Sequence, residues 1–152
     1  MIEVRKGRPE DALIIADFQI QLAAETEHLE LDRMVVEKGV QAVFDDASKG
    51  AYWVAESDGH VVGCLLTVPE WSDWRNGTVL WIHSVYVVVE ARRLGVFRAL
   101  YGGLKAEVES SDDLRGLRLY VEKENERAQD VYRAMGMSDT RYHLFEWMRD
   151  AW

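Results

Sequence analysis

Apolar and polar residues alternate in Ile2-Glu3-Val4-Arg5, the period of a half-buried strand. Pro9 follows where a first helical turn accepts proline, with Glu10 and Asp11 at the end where the helix dipole favours carboxylates. Leu13, Ile14, Ala16, Phe18 and Leu22 then recur at helical spacing, and this pattern ends near Glu25. It breaks over residues 26–31. Asp32 reads as the N-cap of a second helix carrying Val35, Val36, Val40, Val43 and Phe44, which stops at Asp45-Asp46 before Ser48-Lys49-Gly50.

A β-region comes next. Residues 51–56 and 60–68 are strand-like runs joined by Ser57-Asp58-Gly59, a hairpin signal. Residues 69–77 read as a loop holding Trp71 and Trp74, and residues 78–89 as the third strand of the meander. A helix is expected over residues 96–110, with Val96, Leu100 and Leu104 spaced four apart. Residues 117–121 form a further strand, which should lie parallel to the third meander strand through a right-handed crossover. Asn125 caps a last helix holding Ala128, Val131, Tyr132 and Met135, closed by Gly136 at a C′ position. Residues 143–148 alternate as a final strand. The order β α α β β β α β α β predicts an α+β fold, one domain over residues 1–152, around a mostly antiparallel sheet.

Between the third meander strand and the following helix lies Glu90-Ala91-Arg92-Arg93-Leu94-Gly95. A strand, a basic turn with glycine and a helix start in succession can cradle an anion. Amides at a helix start have no intrahelical acceptor and sit at the positive end of the dipole, and arginines add charge-assisted donors suited to phosphate. An ordinary βα turn with solvated arginines accounts for the same residues equally well.

Composition narrows the function. The net charge of -9 speaks against general nucleic-acid binding, which needs a basic face. It is compatible with a cationic partner, although acidity also serves solubility. The single cysteine, Cys64, lies in the apolar run Val61-Val62-Gly63-Cys64-Leu65-Leu66, has no metal-spaced neighbours and reads as a small core residue; no metal is expected. No apolar stretch reaches the ~20 residues of a membrane span, so a cytoplasmic protein without a membrane partner is expected. Six tryptophans in this length call for a site or an interface to hold some of them.

The order of elements, with its central turn, resembles the GCN5-related N-acetyltransferase (GNAT) superfamily over essentially the whole chain. The resemblance is strongest over residues 85–104 and 119–137. The family's central motif, (Gln/Arg)-x-x-Gly-x-(Gly/Ala), is met at its first two fixed positions by Arg92-Arg93-Leu94-Gly95-Val96-Phe97, with Phe97 in place of a small residue. Leu119-Tyr120-Val121-Glu122, then Asn125, Ala128, Tyr132 and Gly136, is similar to the family's strand, asparagine, helix and tyrosine arrangement, with Met137 where the family usually has phenylalanine.

The resemblance implies a sheet with a splayed parallel strand pair at its centre, helices on both faces, and acetyl-CoA as acetyl donor in the splay. By motif position the backbone of Val85, Tyr86 and Val87 would hold the thioester carbonyl and pantetheine amides, nearly as an added strand. Arg92, Arg93, Leu94, Gly95, Val96, Phe97 and Arg98 would take the pyrophosphate, with Gly95 removing a Cβ from its path. Phe97 would point aside, narrow the site, or pack in the core. Asn125 and Ala128 would touch the pantetheine arm, Asn125 also capping its helix. Tyr132 would be the general acid for the leaving thiolate.

The acceptor side is less fixed. Glu25 and Glu27 fall where the first helix breaks, a region that usually forms one wall of the acceptor site in this family. Glu70, Trp71, Asp73 and Trp74 put aromatic faces beside carboxylates, a receptor for an ammonium group or else a hairpin packed on neighbouring helices. His83, two residues before Val85 and so on its face in a regular strand, is a candidate base or relay, or a structural histidine. The leading expectation is acetyl transfer to a small cationic primary amine by direct attack in a ternary complex. A protein N-terminal or lysine acetyltransferase is the second reading, and a non-catalytic CoA or acyl-CoA binder the third. An aromatic last strand with Trp147 and Trp152 could serve a homodimer contact.

Overall fold

A computed structural model of the chain describes residues 1–150. Its first strand, β1 (Ile2–Lys6), presents Arg5 between two carboxylates, Asp11 at 2.8 Å and Glu56 at 2.5 Å. Asp11 closes a short 3-10 turn, Pro9–Asp11, and also accepts the Arg8 amide at 2.7 Å. The chain is thereby turned directly into α1 (Ala12–Glu27), which ends where His28 adopts a left-handed conformation, φ 55°. Asp32 caps α2 (Arg33–Asp45) as expected, its carboxylate accepting from the amides of Met34 at 2.8 Å and Val35 at 3.3 Å.

The described residues divide into two compact units, residues 1–118 and 119–150. The first unit holds one five-stranded sheet in the order β1, β2 (Ala51–Ser57), β3 (His60–Ser72), β4 (Gly77–Val87), β5 (Leu114–Arg118). Neighbouring strands are antiparallel except β4 and β5, which run parallel across the helix α3 (Val96–Ser110). The expected α+β class and parallel crossover are therefore present. Two helices cover one face: Ile15, Ala16 and Phe18 of α1 and Val40 of α2 bury Tyr52, Val54, Cys64 and Tyr86. On the other face Val96, Leu100 and Leu104, one α3 stripe at spacing four, are fully or almost fully buried. Gly63 lets α3 come this close, since a Cβ there would stand 2.9 Å from the Val96 side chain.

Three boundaries depart from the sequence reading. The expected loop over residues 69–77 is mostly strand: β3 continues to Ser72, and only residues 73–76 form the turn into β4. Pro69 is tolerated because β2 pairing ends at Ala51–Thr67, leaving that side of β3 without a ladder that would need the missing amide. The fifth strand, β5, lies three residues earlier than expected, since Thr78 pairs with Leu114 and the register is set from the start of β4. Residues 143–148, expected as a final strand, form none. Their unit contains the helix α4 (Glu126–Ala134) and no strand among its described residues, so the alternation has no ladder partner and Phe145 and Trp147 are exposed. Trp152 lies outside the described residues.

In the second unit the ends of α4 follow the sequence closely. Asn125 Oδ1 accepts the Ala128 amide at 3.2 Å. Gly136, φ 90°, closes the helix with the paired bonds of a Schellman motif, Met137 N–H to Tyr132 O and Gly136 N–H to Arg133 O. No described helix is long and apolar enough to cross a membrane.

Candidate active site at the end of the fourth strand

Two irregularities in β4 define the site. The parallel ladder runs only from Thr78–Leu114 to Trp81–Arg118, whereas β4 itself continues to Val87. On the β3 side, Cys64 pairs with Tyr86 but Leu66 pairs with His83, so Leu65 faces both Ser84 and Val85. This is a β-bulge, and Ser84 sits in the left-handed region at φ 54°. The extra residue resets the alternation. Directly opposed residues share a face, so His83 and Tyr86 both project toward α1 and α2, the side of Cys64 and Leu66. The expectation that His83 shares the face of Val85 holds only for a regular strand and is corrected here: Val85 next to Tyr86 belongs to the α3 face, like Val87 opposite Gly63. No pattern of residue types announced the bulge.

His83 stacks on Trp81 with ring centroids 6.3 Å apart. Partial burial lowers its pKa from 6.5, so at neutral pH the imidazole is the proton-accepting form. Tyr86 is almost fully buried against Phe18, and burial raises its pKa. Its hydroxyl donates to Gln21 Oε1 at 2.7 Å and lies 3.5 Å from Glu25 Oε1.

Beyond β4 the chain makes a 3-10 turn, Val89–Ala91, and reaches the start of α3. Arg93 (φ 67°) and the N-cap Gly95 (φ 83°) both take left-handed conformations. Gly95 has nothing within 4 Å of the position a Cβ would occupy, so what the structure requires of it is the backbone angle rather than empty space. Among the described residues no side chain caps this helix start. Arg93, Leu94, Gly95 and Arg98 are exposed, and among the described residues no carboxylate lies within ion-pair distance of Arg93 or Arg98. Val96 is buried in the α3 stripe, and Phe97 is half-buried, its ring 6.2 Å from that of Tyr101 one turn on. A capless helix start flanked by two arginines fits a diphosphate. The unladdered end of β4 fits an extended amide-bearing arm.

Arg92 is disposed differently. Its guanidinium binds Glu25 Oε2 at 2.5 Å, donates from Nε to Val87 O at 2.9 Å, and lies 5.5 Å from the Tyr86 ring centroid. It is thus joined to the end of α1. Gln21, one turn before Glu25, belongs to this cluster and was not anticipated, although its spacing of four from Glu25 places both on one helix face. Glu27 is exposed.

At the other end of β4, Glu70 pairs with Arg118 at 2.6 Å, spanning the strand between them. Trp71 and Trp74 are 65% and 90% exposed, and Asp73 Oδ1 accepts the Trp74 amide within the turn, so these tryptophans are not packed on helices. Arg115 holds this hairpin by donating to the carbonyls of Arg75 and Asn76, each at 3.2 Å. In the second unit Ala128 and Tyr132 share a face of α4 one turn apart, and burial raises the Tyr132 pKa above 10.0. Its phenol is therefore protonated at neutral pH.

A family model described as the acetyltransferase (GNAT) family matches residues 16–137. A search of curated proteins gives no match. Among solved structures, a possible acetyltransferase from Clostridium difficile 630 is 42% identical with a TM-score of 0.92, the alignment covering 99% of each chain. The ribosomal-protein-alanine N-acetyltransferase from Brucella melitensis biovar Abortus 2308 is 15% identical, TM-score 0.79, with 97% of this chain and 99% of that one covered. AAC(6′)-Iy, solved in complex with the bisubstrate analog CoA-S-monomethyl-acetylneamine, is 15% identical, TM-score 0.75, with 99% of each chain covered. The last two share the fold.

Proposed function

Because the chain belongs to the acetyltransferase (GNAT) family, we propose that it transfers the acetyl group of acetyl-CoA to the primary amine of a small cationic molecule, by direct attack within a ternary complex. The observation that carries this reading is the junction of the bulged β4 end, whose parallel ladder stops at Trp81–Arg118, with a capless helix start bearing Arg93 and Arg98. Acetyl-CoA supplies an activated acyl group as a thioester.

The chain's own groups then have distinct tasks. Backbone groups of Val85 and Val87 orient the acyl arm, and the amides and arginines at the start of α3 bind the diphosphate. His83, neutral because partial burial disfavours the imidazolium, takes a proton from the acceptor ammonium, directly or through water. Tyr132 falls on the family's thiolate-acid position and keeps its phenolic proton until sulfur departs. Asn125 and Ala128 would contact the pantetheine arm, as the resemblance implies.

The cationic acceptor is favoured by the net charge of -9; Trp71, Asp73 and Trp74 lie by the start of β4, away from its bulged end, and do not add to that site. Glu70 and Glu25 contribute less free charge than their number implies, since each is paired with an arginine.

Release of CoA thiol from acetyl-CoA in the presence of small diamines, amino sugars, neutral amines and short peptides tests the reading. Diamines or amino sugars should stimulate release most. Stimulation by peptides alone would overturn the small-molecule reading in favour of a protein acceptor.

A further inference from the structure

Arg92 occupies the first fixed position of the glycine motif, yet its three polar and aromatic contacts run to the end of α1 and to the end of β4, on the face that carries Tyr86 and His83. The carboxylate of Glu25 at 2.5 Å, the Val87 carbonyl at 2.9 Å and the Tyr86 ring at 5.5 Å account for the guanidinium's charge, one fork and one face. Tyr86 extends the cluster to Gln21 at 2.7 Å. The four side chains thus join the last turns of α1 to the carbonyl that ends β4, just past the bulge. An ion pair tied also to a fixed backbone carbonyl and stacked on a buried ring is held in one geometry, unlike an isolated surface pair.

We infer that Arg92 is a positioning residue of the acceptor site, not a ligand of the cofactor phosphates: it fixes Glu25 against the end of β4, and with Gln21 and Tyr86 it sets which amines are accepted. This rests on the acetyl-transfer reading above. Glu25 held by Arg92 is a hydrogen-bonding wall of low net charge rather than an open carboxylate. The wall then selects by shape and hydrogen bonding, leaving attraction of a cation to other groups.

The test separates the two cosubstrates. Binding of CoA to Arg92→Ala and Glu25→Gln is measured by calorimetry, and KM and kcat for the best amine are measured beside it. CoA affinity should stay within about twofold of the parent, while the KM for the amine rises about tenfold in both variants. The double variant should be no worse than either single one, because both break the same pair. Arg92→Lys keeps the charge but cannot engage Glu25 and Val87 O together, so it should recover only part of the loss. A CoA affinity lowered tenfold or more in Arg92→Ala, with Glu25→Gln unchanged, would overturn the inference by making Arg92 a phosphate ligand. An unchanged KM for the amine, with only the melting temperature lowered, would also overturn it. Should Arg92→Ala not fold, Glu25→Gln and Arg92→Lys carry the same comparison. Absence of turnover in the parent would sink the acetyl-transfer reading, whereas the CoA measurement would still report on Arg92.

Discussion

His83 and Tyr86 stand three residues apart on one strand and project to the same face, because Ser84 and Val85 together oppose Leu65. The bulge therefore decides that the imidazole and the Tyr86–Glu25–Arg92 cluster lie on the α1 side of the sheet while Val85 faces α3. Ser84 bears the cost at φ 54°, a conformation that glycine adopts freely and a β-branched residue resists. Ser84→Gly should keep or raise stability by up to about 1 kcal/mol, and Ser84→Val should lower it by about 1–3 kcal/mol. Urea unfolding with unchanged m-values would check both. A neutral Ser84→Val would mean that the bulge does not constrain this residue.

His83 should govern the acid side of the pH profile. Its pKa is lowered from 6.5 by burial, so the base form persists down to below that value. The acid limb of kcat/KM should accordingly fall below pH 6.5 and vanish in His83→Gln, with turnover reduced about 10²-fold or more. An unchanged limb in the variant would assign the base elsewhere. The same shift carries a stability consequence. Because the folded pKa is depressed, the neutral form contributes fully above pH 6.5, and that contribution is lost as pH falls through the folded value.

Removal of the Tyr132 hydroxyl should act on chemistry and not on binding. Tyr132→Phe is expected to lower kcat by about 10²–10⁴ while CoA affinity by calorimetry stays nearly unchanged. Retained turnover would show that thiolate departs without this acid.

Cys64 should be silent in thiol assays of the native protein. It is fully buried, its thiol accepts from Gln19 Nε2 at 3.7 Å, and burial pushes its pKa up to about 12. A disulfide reagent should therefore react with it only on unfolding. A fast reaction in the folded state would place Cys64 nearer the surface than the sheet allows.

Arg5 should be the most sensitive charged position outside the site. Arg5→Met leaves Asp11, almost buried, with the Arg8 amide as its remaining strong partner, and should cost about 2–3 kcal/mol by thermal or urea unfolding. The Arg5 hydrogen bond is the main reason the Asp11 pKa lies below 3.8. Asp11 thus contributes stability in full above that value, and the contribution is lost as pH falls through its depressed folded pKa. The parent should lose more stability on acidification through this window than Arg5→Met does.

Much of the fold was legible in short-range patterns. Asp32 and Asn125 cap their helices, Gly136 ends α4, the Asp58-Gly59 hairpin forms, and α3 spans residues 96–110, because caps, turns and helical stripes depend on residues within a few positions of one another. The start of α3, proposed above to bind the diphosphate, belongs to the same class, being written in Arg93, Gly95 and Arg98. The tertiary structure decided what depends on partners distant in sequence. Registry with β4 moved the parallel strand to Leu114–Arg118, and lack of a partner strand within its unit left residues 143–148 unpaired. A single extra residue in the pairing with β3 turned His83 away from the face of Val85. Glu25, 67 positions from Arg92, drew that arginine to the end of α1, since an ion pair depends on where two side chains meet in space and not on the motif in which either is found.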